Sequence, residues 1–226
     1  MAESVRQGKR ATLVRLAPWI VVGALALFLV VTNWLWLAEN VTSTGWDKPR
    51  HLVRSLHVSH MLSPVTVRSL FNVIVSDAVR PPLVPASAAI MYRLFGHSAD
   101  VGTMVNVIYL VIVLAATFGI GQRWNGWKLG LVSVALLACF PMFYYMSRHF
   151  YLEFALTAMV ALVVCLVLAT DGFRQRRASL LFGLALGLGL LTKRTFAVIA
   201  LGPVAVAVLF SGAIPMAWRR LKKRPK

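Results

Sequence analysis

The 226-residue chain is predicted to be an all-α polytopic membrane protein, on three observations. It is 59% hydrophobic and only 14% charged, where a soluble domain has about a quarter of its residues charged. Several of its apolar runs approach or exceed the roughly 17–25 residues that cross a bilayer as helix. Its 24 Lys and Arg outweigh 7 Asp and Glu, for a net charge of +17, and most of the excess falls in the connections between those runs. Together these exclude a water-soluble globule and a disordered chain, which needs low hydrophobicity. The interrupted alternation of a membrane β-barrel is absent. A basic excess in a soluble protein would point to nucleic acid. Here it reads as orientation, because Lys and Arg collect on the cytoplasmic side. Cys139 and Cys165 both sit in apolar runs as small packing residues, with neither a disulfide framework nor a metal motif around them.

Six transmembrane helices follow in order. A cytoplasmic tail over residues 1–15 carries Arg6, Lys9, Arg10 and Arg15 ahead of the apolar run Leu16–Leu37. That run is too long for a signal-peptide core and is predicted to be an uncleaved first span. Trp34 and Trp36 at its far end suit the interfacial aromatic belt. The remaining spans are predicted at Thr103–Gly121, Leu129–Met146, Phe150–Thr170, Leu180–Thr192 and Phe196–Trp218. Charge counting decides the uncertain run Leu83–Phe95, which is interrupted by Pro85 and Arg93. If it stays out of the membrane, Arg123, Lys128, Arg174, Arg176, Arg177 and the basic tail 219–226 all fall in the cytoplasm with the N-terminal tail. Only Arg148, Lys193 and Arg194 then lie in short outer loops. If it crosses, the bias reverses, against the rule for short loops. Both termini are therefore predicted to be cytoplasmic, within a single transmembrane domain over residues 1–226. Gly183, Gly187 and Gly189 are predicted to let the fifth span pack closely, as small-residue spacing does.

The first outer loop, residues 38–102, is the most informative stretch. Val67, Leu70, Phe71 and Ile74 have the i, i+3, i+4, i+7 spacing of an amphipathic helix, and Leu52, Val53 and Leu56 hint at another. Pro81-Pro82 opens a third, since Pro near the first turn sacrifices only a donor that would be unsatisfied anyway. Such helices lie along the membrane surface.

With seven carboxylates, each can be weighed. Glu3 and Asp171 are placed in the cytoplasm among basic residues. Asp47 follows the first span in Thr44-Gly45-Trp46-Asp47-Lys48-Pro49-Arg50, and Glu153 closes Ser147-Arg148-His149-Phe150-Tyr151-Leu152-Glu153 at the outer end of the fourth. An acid so near hydrocarbon needs a partner or a task, and a salt bridge to Arg148 is the plainer account of Glu153. Asp77 and Arg80 are spaced to pair along a helix, and Asp100 after Ser98 has the look of a helix cap. Asn40-Val41-Thr42 matches a glycosylation sequon, a pattern with many chance matches. His51, His57 and His60 could supply two metal ligands but lack a third at defined spacing. Lys48, Arg50, Arg54, Arg80, Arg148, Lys193 and Arg194 form an outer-face set of cations. They read either as snorkelling side chains or as a site for an anion such as a lipid phosphate.

The order of these pieces resembles the type-C glycosyltransferases, in particular the family 39 group that includes the dolichyl-phosphate-mannose–protein mannosyltransferases. The residues carrying the resemblance are Trp46-Asp47 after span one and Arg80-Pro81-Pro82-Leu83 opening a surface helix that ends Leu94-Phe95-Gly96. They continue with Ser147–Glu153 and then Gly187-Leu188-Gly189-Leu190-Leu191-Thr192-Lys193. The resemblance implies transfer of a sugar from a polyprenyl-phosphate carrier to an acceptor on the non-cytoplasmic face, in a cell-envelope membrane such as the bacterial inner membrane. Asp47 would then be the general base, because an acceptor hydroxyl needs a positioned base to shed its proton. Glu153 would assist the acceptor or a divalent cation. Lys193, with Arg50, Arg80 and Arg148, would hold the departing carrier phosphate, where electrostatic stabilisation adds most to rate. Donor, membrane lipids and an acceptor are the partners implied, with no nucleic acid. Where many relatives have a second acid after span one, this chain has Lys48. Relatives also continue for several more spans, so a truncated or split chain needing a partner subunit, or a non-catalytic scaffold of the same fold, are alternative readings. A transporter would place ionisable residues at mid-membrane in related halves, a pattern not seen here.

Overall fold

Residues 2–40, 47–77 and 80–210 are described by the computed structural model, and all are helical or short connections between helices. The turn at Gly45-Trp46, the sequon residues Val41 and Thr42, and the basic tail 219–226 lie outside the described residues. Helix α1 (Ala2–Glu39) contains the expected first span, and its stretch Leu16–Glu39 is long and apolar enough to cross a membrane. Most of its apolar side chains stay exposed, Ile20, Leu27 and Phe28 among them, as they do when lipid is the solvent.

Four short helices separate α1 from the next apolar helix: α2 (Asp47–Met61), α3 (Val67–Val75), α4 (Leu83–Phe95) and α5 (Ala99–Thr103). Their ends follow local chemistry. Thr66 and Ser69 form a reciprocal capping box at α3, each side-chain oxygen accepting the other's backbone N–H at 3.0 and 2.8 Å. This satisfies two of the donors a helix start leaves open. Pro81 and Pro82 precede α4, whose Leu83 N–H donates to Leu191 O at 2.8 Å. Ser98, and not Asp100, caps α5, its Oγ accepting from Val101 N at 3.1 Å. Helices α2 and α4 pack against each other through Leu52, Val84, Ala88 and Tyr92.

Helix α6 (Asn106–Cys139) is a hairpin. Asn125 and Gly126 leave helical geometry, Gly126 at φ +79°, where glycine is free of the Cβ penalty. Straight helix would hold residues 121 and 130 some 13 Å apart at 1.5 Å per residue. Instead a Cβ on Gly121 would meet the Gly130 Cα at 2.7 Å, so the arm over 106–124 and the arm over 127–139 run antiparallel in backbone contact. The chain then continues through α7 (Pro141–Arg148), α8 (Leu152–Ala169), α9 (Arg176–Leu190) and α10 (Phe196–Phe210). Helix α8 is central: it packs on α6, α9 and α10 and buries Phe154, Ala155, Ala158 and Val163 completely or nearly so.

Two expectations change. The predicted third span, Leu129–Met146, is interrupted at Phe140-Pro141. Phe140 is extended (φ −73°, ψ 119°) and Pro141 starts a new helix, because a residue before proline is pushed out of helical geometry. Among the described residues three helical stretches are long and apolar enough to cross a membrane, Leu16–Glu39, Ala99–Cys139 and Leu152–Ala169, and the second of them folds back on itself at 125–126. Helix α9 extends about 22 Å over Arg176–Leu190 at 1.5 Å per residue, against roughly 30 Å of hydrocarbon. Finally, only Gly189 of the three glycines in α9 serves close packing. A Cβ there would strike the Phe196 ring at 2.1 Å, whereas Gly183 and Gly187 have nothing within 4 Å.

Candidate active site

Successive antiparallel passes bring distant parts of the sequence to one end of the bundle. The start of α6, the end of α7, the start of α8 and the α9–α10 connection all lie there. The 125–126 and 170–175 turns lie at the other. Buried Asn106 joins the first of these, its Nδ2 donating to the carbonyls of Ser147 (3.2 Å) and His149 (2.7 Å). Buried Asn33 of α1 does likewise. Its Nδ2 donates to Ser147 Oγ at 3.0 Å, and its Oδ1 accepts from Arg148 Nε at 2.9 Å. These two asparagines, polar residues inside apolar runs, fix the Ser147–Glu153 segment against α1 and α6.

At the first turn of α8, Glu153 forms an ion pair with Lys193 from the α9–α10 connection. Both are partly exposed, at 46% and 31%, so the pair is wet. The Leu83–Leu191 backbone bond ties the start of α4, and with it Arg80, to the same connection. Asp47 occupies the first turn of α2, where the helix dipole favours a carboxylate. One turn on, half-buried His51 lies in the field of Asp47 and Glu153 on one side and of Arg80 and Arg54 on the other. Burial is the largest influence on His51 and holds its pKa below the usual histidine value, the arginines assisting and the two carboxylates opposing. Tyr151 also lies within electrostatic reach of both carboxylates and belongs to an aromatic group with Tyr145 and His149, ring centroids 4.2–6.4 Å apart.

A cavity of about 630 Å³ opens along α2, lined by Arg50, Arg54, His57, Ser76, Asp77 and Arg80 among others. Arg54 organises its wall. Its Nη2 lies 3.4 Å from Asp77 Oδ2 and donates to the Arg80 carbonyl. Asp77 Oδ1 in turn accepts the Arg80 backbone N–H at 3.0 Å. Asp77 thus pairs across to α2 through Arg54 and accepts from the Arg80 backbone.

Sequence-predicted residues therefore divide into three places. Glu153 and Lys193 meet directly, and Asp47 and Glu153 both lie within electrostatic reach of His51. Arg50 and Arg80 share the cavity. Arg148 joins neither group: its guanidinium lies 3.6 Å from the Tyr144 ring centroid and 5.6 Å from that of Trp36, and it is bonded to Asn33. It is not the partner of Glu153. His60 stacks with His97 at 6.1 Å, and no group of three His, Cys, Asp or Glu able to hold a metal occurs among the described residues. The sequence reading had His51 only as a candidate metal ligand and Arg54 only as one of the outer-face cations, and placed neither in the catalytic or phosphate-binding set, although Asp47 and His51 at i, i+4 share a helix face.

Helices long and apolar enough to cross a bilayer define an integral membrane protein. The family model described as dolichyl-phosphate-mannose-protein mannosyltransferase matches residues 79–224. The chain belongs to that family, within the type-C glycosyltransferases. Arg80, Glu153 and Lys193 lie inside the match and Asp47, Arg50, His51 and Arg54 precede it. No curated protein and no solved structure matches the chain.

Proposed function

We propose that this membrane glycosyltransferase moves a sugar from a polyprenyl-phosphate carrier to an acceptor hydroxyl at the non-cytoplasmic rim of a six-span bundle. The observation that supports this most is the convergence of the Glu153–Lys193 pair, Asp47, His51 and the arginine-lined cavity at one end of the fold. In the reaction the acceptor oxygen forms a bond to the anomeric carbon as the bond from that carbon to the phosphate oxygen breaks. The leaving oxygen keeps the electron pair and the acceptor proton passes to Asp47. A base must be charged and in reach to do this, and Asp47 projects from the first turn of a rigid helix. Arg50 and Arg80 hold the phosphate as its charge grows, since Arg matches phosphate oxygens in a two-pronged fork. Lys193 orients Glu153 towards the acceptor. Arg148 fixes the segment that carries Glu153.

Membranes supplied with polyprenyl-phosphate sugars provide the assay. Asp47→Asn abolishes transfer while leaving folded, membrane-inserted protein. Undiminished turnover in that variant would remove Asp47 from the role of base.

A further inference from the structure

A cavity of about 270 Å³ lies between the second half of α1, the end of α4 and the start of α6, with Val30, Trp34, Met91, Phe95 and Ile108 among its walls. Trp34, Phe95 and Ile108 are also exposed outward, at 54%, 61% and 41%, and α1 and α6 both carry stretches of span length. The cavity therefore adjoins apolar surface that meets lipid. Four buried polar residues line it as well: Asn33, Thr103, Asn106 and Ser147. Three of them are engaged. Both ends of the Asn33 amide are bonded, to Ser147 Oγ and Arg148 Nε. Ser147 Oγ donates to the Tyr144 carbonyl at 2.8 Å and Thr103 Oγ1 to that of Ala99 at 2.9 Å.

Asn106 differs. Its Nδ2 faces the carbonyls of Met146, Ser147 and His149 at 3.4, 3.2 and 2.7 Å, which fixes the orientation of the amide. Its Oδ1 is buried and has no hydrogen-bond partner among the described residues. A buried acceptor left without a donor is costly. The cavity is far larger than the roughly 30 Å³ share of one water, and apolar cavities of about 150 Å³ stay dry and take small apolar molecules instead. An apolar body would fill these walls, and a proton donor at its end would meet Oδ1. Carboxylates and phosphate diesters have no proton to give, and an ammonium would bring an unpaired charge among apolar walls. A hydroxyl is a neutral donor.

We infer that this cavity binds a membrane alcohol, an apolar chain entering from the lipid whose hydroxyl donates to Asn106 Oδ1. The inference goes beyond sugar transfer and does not rest on it, since neither Asp47, Glu153 nor the arginines of the larger cavity line this one. Because Asn106 also holds the carbonyls of the segment leading to Glu153, the bound alcohol braces that segment, and occupancy registers as stability.

The test uses the full chain in phosphatidylcholine nanodiscs and two probes, decanol and decyl methyl ether, which differ in whether the oxygen carries a proton. The unfolding midpoint is followed against the mole fraction of probe in the bilayer, since a ligand of the folded state raises it. In wild type, decanol gives a saturable rise at a mole fraction about tenfold below that needed of the ether, as one hydrogen bond to an otherwise unmet acceptor provides. Asn106→Leu starts from a lower midpoint, because the carbonyls lose their donor, and responds to the two probes alike. Val30→Phe, which puts a ring into the cavity and leaves Asn106 in place, loses the saturable rise for both. Equal responses to alcohol and ether in wild type overturn the inference, and that comparison needs no variant to fold. A preference for decanol that persists in Asn106→Leu, or a saturable rise that survives in Val30→Phe, overturns it equally.

Discussion

Arg54→Met tests whether the arginine-lined cavity is held in shape from α2. The native side chain is 12% exposed and its partner Asp77 30%. The substitution removes a charge-assisted bond to the Arg80 carbonyl, about 1.5–3 kcal/mol by comparison with similar bonds. The ion pair adds less, because Asp77 is nearly a third exposed and solvent screens it. A net stability loss of about 2 kcal/mol follows, readable as a lowered unfolding midpoint in nanodiscs. Released from Arg54, the segment carrying Arg80 no longer presents one conformation to the cavity. If Arg80 holds the donor phosphate, the same loss is felt as a donor KM raised about 30-fold, by the tenfold-per-1.4 kcal/mol conversion. Arg54→Lys keeps the charge but not the fork, and falls between. Asp77→Asn should recover part of the stability in the Arg54→Met background, because it removes the negative charge that the guanidinium had balanced. Stability changes of the two single variants that simply add, within about 0.5 kcal/mol, would refute the clamp. An unchanged donor KM in a destabilised Arg54→Met would refute its link to the donor.

Three further outcomes follow from the packing and the charges. Lys193→Met leaves Glu153 without its partner and abolishes transfer. Glu153→Gln in the same chain restores the thermal stability but not the activity, and restored activity would show the pair to be structural alone. His51 has a folded pKa below its unfolded value of about 6.5, so the unfolded chain binds more protons between those two values. Stability therefore falls as pH drops below about 6.5 and levels off once the folded imidazole is charged. His51→Asn should flatten that part of the stability–pH curve, and an unaltered curve would exclude His51 as its source. Gly189→Ala drives a methyl into the fully buried Phe196 ring and should cost about 1–3 kcal/mol. Gly183→Ala, with open space around it, should gain up to about 1 kcal/mol from helix propensity.

Local signals were legible in the sequence wherever a rule acts within a few residues. The helix Leu83–Phe95 has the bounds expected from the prolines before it and Gly96 after it, and Val67–Val75 contains the four apolar residues whose spacing predicts a helix there. The break at Phe140-Pro141 was equally local and could have been read from the proline, but the apolar run concealed it. Burial is another matter. Lys48, Arg50 and Arg54 look alike as cations of one amphipathic helix, and only the packing of α1, α4 and α5 around α2 buries the first, exposes the second and clamps the third.

The partner of Glu153 shows why the site itself resisted sequence reasoning. Arg148, five residues earlier, is the natural candidate along the chain. The structure chooses Lys193, 40 residues later, because Asn33 and Trp36 of α1 and Tyr144 of its own helix engage the Arg148 guanidinium first. A guanidinium stacks on aromatic faces where an ammonium stays better hydrated, so Arg suits the ring-lined side and Lys the wet one. Exchanging the two residues tests this division. In Arg148→Lys the Asn33 bond and the stacking weaken, the Ser147–Glu153 segment loosens, and stability falls by about 1 kcal/mol, the scale of an aromatic–cation contact. Lys193→Arg keeps an ion pair with Glu153 and should leave stability within about 0.5 kcal/mol, the range of a tolerated surface change. Equal losses in the two variants would mean that charge alone, and not the geometry of each cation, sets the arrangement.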